Sequence, residues 1–145
     1  QAFDEPMLLR TEVQAGRQRA GQRVFILDTV GELASFYAAA TVAVIGGSFY
    51  PGVNGHNPLE SAGLGVPTVF GPYMRNFADP ARVLTEAHGA VQVTGPDGLL
   101  EALQSLLRDP ERQARLGARG REAIVANRGA VARSLDLLKE VLDGP

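Results

Sequence analysis

The chain has no cysteine, no tryptophan and two histidines in 145 residues, and Lys139 is the one lysine among 14 basic side chains. Without cysteine there is no disulfide scaffold, no thiolate metal site and no cysteine nucleophile. Two histidines, His56 and His88, argue against a multi-histidine metal centre. Charge of one sign is also missing: 14 basic residues face 16 acidic ones, for a net charge of −2. No general basic field therefore exists to attract nucleic acid or an anionic membrane. The preference for arginine over lysine reads as coding bias. No apolar run approaches the roughly 20 residues needed to cross a bilayer. Gln1-Ala2-Phe3-Asp4-Glu5 is neither a signal peptide nor a methionine start, so the expectation is an excised piece of something larger. What remains is an ordinary soluble composition, 45% apolar and 21% charged. A chain of this length buries roughly 68–70% of its unfolded surface, enough for a core without a staple.

Short apolar runs alternate with helical periodicity. The runs are Val24–Leu27, Thr41–Ile45, Val66–Phe70 and the weaker Ala90–Val93. Continuous runs of this length, rich in Val and Ile, predict strands covered on both faces. Between them the spacing predicts helices over Glu32–Ala40, Asn57–Gly65 and Asn76–Ala87, and one carrying Leu99, Leu103, Leu106 and Leu107. Asp109-Pro110 opens another, with Asp at the cap and Pro at the first position. Val131, Leu135, Leu138 and Leu142 form a last amphipathic stripe. Residues 3–20, polar and arginine-rich, read as a leading helix. The alternation implies an α/β fold: a parallel sheet with helices on both faces. The arginines from Arg108 to Arg133, interleaved with Asp109, Glu111 and Glu122, read as a solvated face.

Three helix starts share one device. Thr29-Val30-Gly31-Glu32 fits a capping box, Asn57-Pro58-Leu59-Glu60 has Asn at the cap and Glu three on, and Asn76-Phe77-Ala78-Asp79 repeats the pattern with Asp. In a parallel sheet such starts line the carboxyl edge of the strands, where open α/β folds bind ligands and where free amides suit anions. A cap alone needs no function. The middle start stands out because Gly46–Asn57, leading into it, is a long glycine-rich loop, which permits close backbone approach to a ligand. It is neither a Walker loop nor the dinucleotide fingerprint. His56 beside it can donate to a phosphate or a sugar carboxylate, or serve only as a polar loop residue. Glu60 can reach back to the cap amide or accept from ribose hydroxyls, and Asp28 carries the same ambiguity. Gly71-Pro72 is a turn signal, after which Tyr73 and Arg75 are candidates for stacking and charge contacts, or simply exposed.

Asp28-Thr29-x-Gly31-Glu32-Leu33, Gly46-Gly47-Ser48-Phe49, Gly55-His56-Asn57-Pro58-Leu59-Glu60, Gly71-Pro72-x-x-x-Asn76-Phe77 and Asn127-Arg128-Gly129-Ala130 occur in that order. From about residue 24 to the end this resembles the C-terminal half of the 3-deoxy-D-manno-octulosonic acid (Kdo) transferases, most specifically at Gly55–Glu60. The resemblance implies the Rossmann-like C-terminal half of a two-domain GT-B glycosyltransferase, lacking its first strands and its acceptor domain. It implies CMP-Kdo as donor partner and a lipid A precursor as acceptor, held by the N-terminal domain. It further implies lipopolysaccharide biosynthesis at the cytoplasmic face of the inner membrane, with this fragment soluble. No metal and no cofactor are implied. The general base would belong to the N-terminal domain, so no catalytic residue is assigned here. Gly47, Ser48, Gly55, His56, Asn57, Glu60 and Asn76 would form the donor site, with backbone amides at the Asn57 helix start holding the phosphate.

The family pattern Gly-Gly-His-Asn-Pro-Leu-Glu-Pro differs here at Asn54 and Ser61. Asn tolerates the left-handed conformation that a glycine supplies. Upstream Gly-Ser-Thr-His and Pro-Arg-His-Pro stretches of the family are missing. That leads to the expectation of an uncovered sheet edge, which self-associates or hides under the helix of residues 3–20. Two alternatives remain open: a GT-B enzyme or epimerase using a UDP-sugar, and a non-catalytic nucleotide-binding or assembly module.

Overall fold

The computed structural model describes residues 5–142, with side chains described through residue 127. The chain divides into two compact units, Gln1–Phe36 and Tyr37–Pro145.

In the first unit, β1 (Met7–Leu9) leads into α1 (Arg10–Gln14), and β2 (Val24–Ile26) precedes α2 (Leu33–Ala38), which runs across the boundary. β1 and β2 pair in parallel, Met7 opposite Val24 and Leu9 opposite Ile26. The leading helix expected over residues 3–20 is therefore wrong. Three residues of strand carry no readable period, and their reason for being extended is a partner strand downstream, Val24–Ile26. Leu8 is 4% exposed, the one buried hydrophobic among the described residues of this unit. The helix that does form is closed at once by Gly16, at φ +93°: the Gly16 amide donates to Val13 O and the Arg17 amide to Glu12 O. No long helix is left to cover a sheet edge, because Met7–Leu9 is itself a paired strand. β2 also departs from expectation: Phe25 and Ile26 are 41% and 38% exposed, not covered on both faces. Phe25 instead stacks on Phe36, ring centroids 5.4 Å apart.

The Thr29 capping box does not form as read. Thr29 Oγ1 donates to Glu32 Oε2 (2.5 Å) instead of accepting a backbone amide. Glu32 is claimed by Arg10, whose Nε and Nη2 approach its carboxylate at 3.0 and 2.7 Å. Asp28 has a local employer too: its carboxylate accepts the Thr11 amide (3.0 Å) and hydroxyl (2.6 Å) at the first turn of α1. The hydroxyl and amide of Thr11 hold the Asp28 carboxyl below its ordinary range, and Arg10, then Thr29, do the same for Glu32.

The second unit contains a parallel three-stranded sheet in the order β3 (Ala43–Ile45), β4 (Thr68–Phe70), β5 (Val91–Gln92). Ala43 faces Thr68, and Val69 faces Val91. All three strands fall in runs read from the sequence. The central strand β4 is buried at every residue, and successive side chains of a strand point to opposite faces. Phe70 joins Ile45, Ala62, Ala81, Leu84 and Ile124 on one face. Val69 joins Val93, Ala102 and Leu106 on the other. Hence α3 (Leu59–Gly63), α4 (Ala78–Glu86) and, through Ile124, α6 (Pro110–Leu142) cover one face, and α5 (Pro96–Arg108) the other, where Leu116 near the start of α6 joins it. Asp109 caps α6 as read, its Oδ1 accepting the Arg112 amide at 2.8 Å. The stripe from Val131 to Leu142 and the Arg128-Gly129-Ala130 stretch lie beyond the described side chains.

α6 is seated by glycines. α3 ends in a left-handed turn at Gly65 (φ +78°), where the Gly65 amide donates to Ala62 O and Val66 to Ser61 O. α4 ends the same way with His88 (φ +51°): His88 donates to Thr85 O and Gly89 to Leu84 O. A Cβ on Gly117 would lie 1.9 Å from Gly65 O, and one on Gly89 would lie 2.5 Å from Gly120 Cα. Gly117 and Gly120, three apart on one face of α6, thus receive the ends of two helices.

Candidate functional site

The carboxyl edge of β3–β5 brings together three connections. β3 runs into a 3-10 turn over Gly46–Phe49 and then the loop to Pro58. β4 runs through Gly71–Met74 into a second 3-10 turn, Arg75–Phe77, and α4. β5 ends at Gln92, whose Nε2 donates to Gly71 O (3.3 Å).

The glycine loop is braced from beneath. Ser48 is fully buried; its Oγ donates to Ile45 O (2.5 Å) and accepts the Gly71 amide (2.6 Å). Its carbonyl accepts the Tyr73 amide (2.9 Å). The Ser48 hydroxyl is thus spent on joining the two loops and does not face a ligand. Gly71 permits that closeness, since a Cβ there would meet Ser48 O at 2.6 Å.

The loop then folds back on its own start. The Gly55 amide donates to Gly47 O (3.2 Å). The His56 ring lies over Gly47, where a Cβ would be 2.7 Å from its Cδ2 and 2.9 Å from Nε2. Gly55 (φ +90°) lies against Met74, whose Sδ would be 2.8 Å from an added Cβ. Asn54, the position where the family pattern has glycine, sits at φ +57°. An asparagine is one of the few side chains at ease in that region.

Asn76 corrects an expectation. It does not cap α4, which has no side-chain cap. Its amide donates to Asn54 O and its Nδ2 to Val53 O, both at 3.2 Å. The asparagine ties the Gly-Pro connection to the glycine loop, a long-range role that no local spacing reveals. Asn57 sits one residue ahead of the cap position, Pro58, and still braces the helix start: its Oδ1 accepts the Leu59 amide at 3.1 Å. Its Nδ2 lies 3.4 Å from Glu60 Oε1. The helix that follows is five residues long, and one of the amides expected to be free for a phosphate is already taken. Glu60 is exposed and does not reach back to the cap amide among the described hydrogen bonds; its charge, after burial, helps push the Tyr37 phenol up.

Beside the loop lies a cavity of about 500 Å³ lined by Asn54, Tyr73, Arg75, Arg82 and Gln92, among others. Tyr73 and Arg75, singled out in the sequence, are therefore in one cavity; Arg82 was not. Arg82 lies within the α4 pattern, and its salt bridges to Asp79 and Glu86 are the usual helix-surface pairs. No buried side-chain nitrogen or oxygen lacks a partner among the described residues. Among the described residues no group of three potential metal ligands stands together, and no helix is long and apolar enough to cross a membrane.

No protein-family model matches the chain. It is 38% identical over 122 residues to the 3-deoxy-D-manno-octulosonic acid transferase of Haemophilus influenzae, covering 83% of this chain and 28% of that protein. The same enzyme of Bordetella pertussis is 35% identical over 130 residues, 88% of this chain and 30% of that protein. The chain thus spans less than a third of the length of these relatives. Among solved structures, the C-terminal CMP-Kdo binding domain of WaaA from Acinetobacter baumannii superposes with a TM-score of 0.75 at 27% identity, over 83% of this chain and 62% of that one. In sequence over most of its length and in fold, the chain is thus similar to the 3-deoxy-D-manno-octulosonic acid transferases.

Proposed function

We propose that the chain is the donor-binding domain of a GT-B glycosyltransferase that moves Kdo from CMP-Kdo to a lipid A precursor. In this reading the enzyme works at the cytoplasmic face of the inner membrane, in lipopolysaccharide biosynthesis. The acceptor and the general base belong to a domain outside this chain. The observation that carries the reading is the braced glycine loop with the His56 imidazole laid across Gly47, at the sheet edge where α/β folds bind ligands.

Gly47 leaves room for the His56 ring and Gly55 for Met74, which lets the loop fold back on its own start. His56 donates to the donor's phosphate or carboxylate, and Glu60 accepts from the ribose hydroxyls. Asn57 holds the turn between them. Ser48 and Asn76 act as positioning residues that set the loop's height and angle. Tyr73 and Arg75, across the neighbouring cavity, supply a stacking face and a positive charge.

Calorimetric titration with CMP tests this. Loss of two direct hydrogen bonds in a His56→Ala, Glu60→Ala variant should weaken binding by about tenfold or more. Unchanged CMP affinity would overturn the site, and tighter binding of UDP than CMP would overturn the donor. The exposed apolar side chains Phe25 and Ile26 of β2 also favour self-association; sedimentation as a monomer at all concentrations would exclude it.

A further inference from the structure

The amino-terminal side of the three-stranded sheet carries a second feature that the donor site does not use. A groove of about 390 Å³ lies between the turn entering β5 and the first turns of α6. Its lining is His88, Ala90, Val91, Arg112, Arg115, Leu116 and Arg119, with no carboxylate among them. The groove is a product of the glycine seat: Gly89 against Gly120 brings the end of α4 onto α6, and the left-handed His88 stands beside the arginine row.

The three arginines are not equivalent. Arg115 is compensated by Glu111 (3.2 Å) and Asp109 (3.9 Å). Among the described residues the Arg112 guanidinium is bonded only to the neutral Ser105 hydroxyl, its amide going to Asp109, and Arg119 has no acidic partner. Two guanidinium charges therefore face an open concavity without an anion supplied by the fold. Positions 112, 115 and 119 share one face of the helix, and at 1.5 Å per residue they extend over about 10 Å. One small anion cannot meet the whole row. A ligand with two adjacent phosphoryl groups can, and the planar guanidinium fork is suited to phosphate oxygens.

We propose that this groove is a second anion site, separate from the donor loop, that binds phosphoryl groups through Arg112 and Arg119 with His88 as a further donor. Inorganic pyrophosphate is the probe for a free ligand. Vesicles of phosphatidylcholine with and without phosphatidylglycerol are the probe for a lipid headgroup. Pyrophosphate should give saturable NMR shifts at His88, Gly89 and Arg119, or the chain should sediment with the anionic vesicles alone. In Arg112→Gln, Arg119→Gln the responding probe should bind about tenfold more weakly, as expected for losing charge-assisted hydrogen bonds. Arg112→Lys, Arg119→Lys should recover part of it, and His56→Ala should leave it unchanged. Which probe responds identifies the source of the phosphoryl group. Failure of both probes, equal binding by wild type and the Gln variant, or shifts confined to residues 47–60 would overturn the proposal.

Discussion

The two units are held by opposite means. Residues 5–36 have one buried hydrophobic, Leu8, and depend on polar bonds near the surface: Arg10 with Glu32, Thr11 with Asp28, Arg17 with Glu12 and Arg23 with Glu5. Residues 37–127 have two apolar clusters either side of β4, and their buried hydroxyls are bonded internally. Ser61 and Thr68, for example, face each other at 2.9 Å between α3 and β4. A hydrogen bond in water replaces one to solvent and gains little; the same bond in a core is costly to leave unmade. The second unit therefore has the rigidity on which a preorganised loop can be built.

Three measurements probe that contrast. The largest effect belongs to Gly117→Ala, whose new Cβ would meet Gly65 backbone at 1.9 Å. It should cost about 3 kcal/mol in urea denaturation, the upper part of the overpacking range. Gly63→Ala, at the same helix pair but with Ile124 Cδ1 at an ordinary 3.6 Å, should be neutral or slightly stabilising; equal losses would refute the glycine seat. Next comes Ser48→Ala, which leaves the buried Gly71 amide without its acceptor and should cost about 2 kcal/mol. It should also loosen the donor loop, read as faster exchange of the Tyr73 amide.

The smallest effect is the acid response of the first unit. Asp28, Glu32 and Glu12 have carboxyls held below the ordinary range. Unfolded, they bind protons at higher pH than when folded, so their stabilisation is complete above the ordinary values and fades as pH falls through the depressed ones. Exchange protection of the Thr11 and Leu9 amides should fall below about pH 4. The Gly71 amide, bonded to a hydroxyl that does not titrate, should keep its protection. Parallel loss at both places would erase the contrast.

The same division governs what could be read from sequence. β4 is legible because a buried strand must be apolar along its length; β3 and β5 fall in apolar runs too, although Val44 is 38% exposed and Gln92 is exposed, so they are not covered on both faces. The bonds that Asn57 and Asp109 make at their helix starts are legible because each closes within three residues. Asn54 at a left-handed position follows from the conformational tolerance of asparagine. β1 is not legible: its three residues owe their conformation to Val24–Ile26. Thr29 and Asn76 look like caps by spacing, but their partners are chosen by tertiary proximity, Glu32 being engaged by Arg10 and Asn76 by Val53 and Asn54. Gly117 and Gly120 carry no local signal, since a glycine inside a helix acquires its reason only from what packs on it.

Those two glycines have a kinematic consequence. A helix touching its support at one point can still slide along its axis and roll about it. Two notches three residues apart, filled by the separate ends of α3 and α4, remove both freedoms together. A slip of one residue would put a side chain into each notch at once. α6 therefore behaves as an indexed shaft, and the bearing of every residue on its described length is set by the two turns that close the helices on the sheet's inner face.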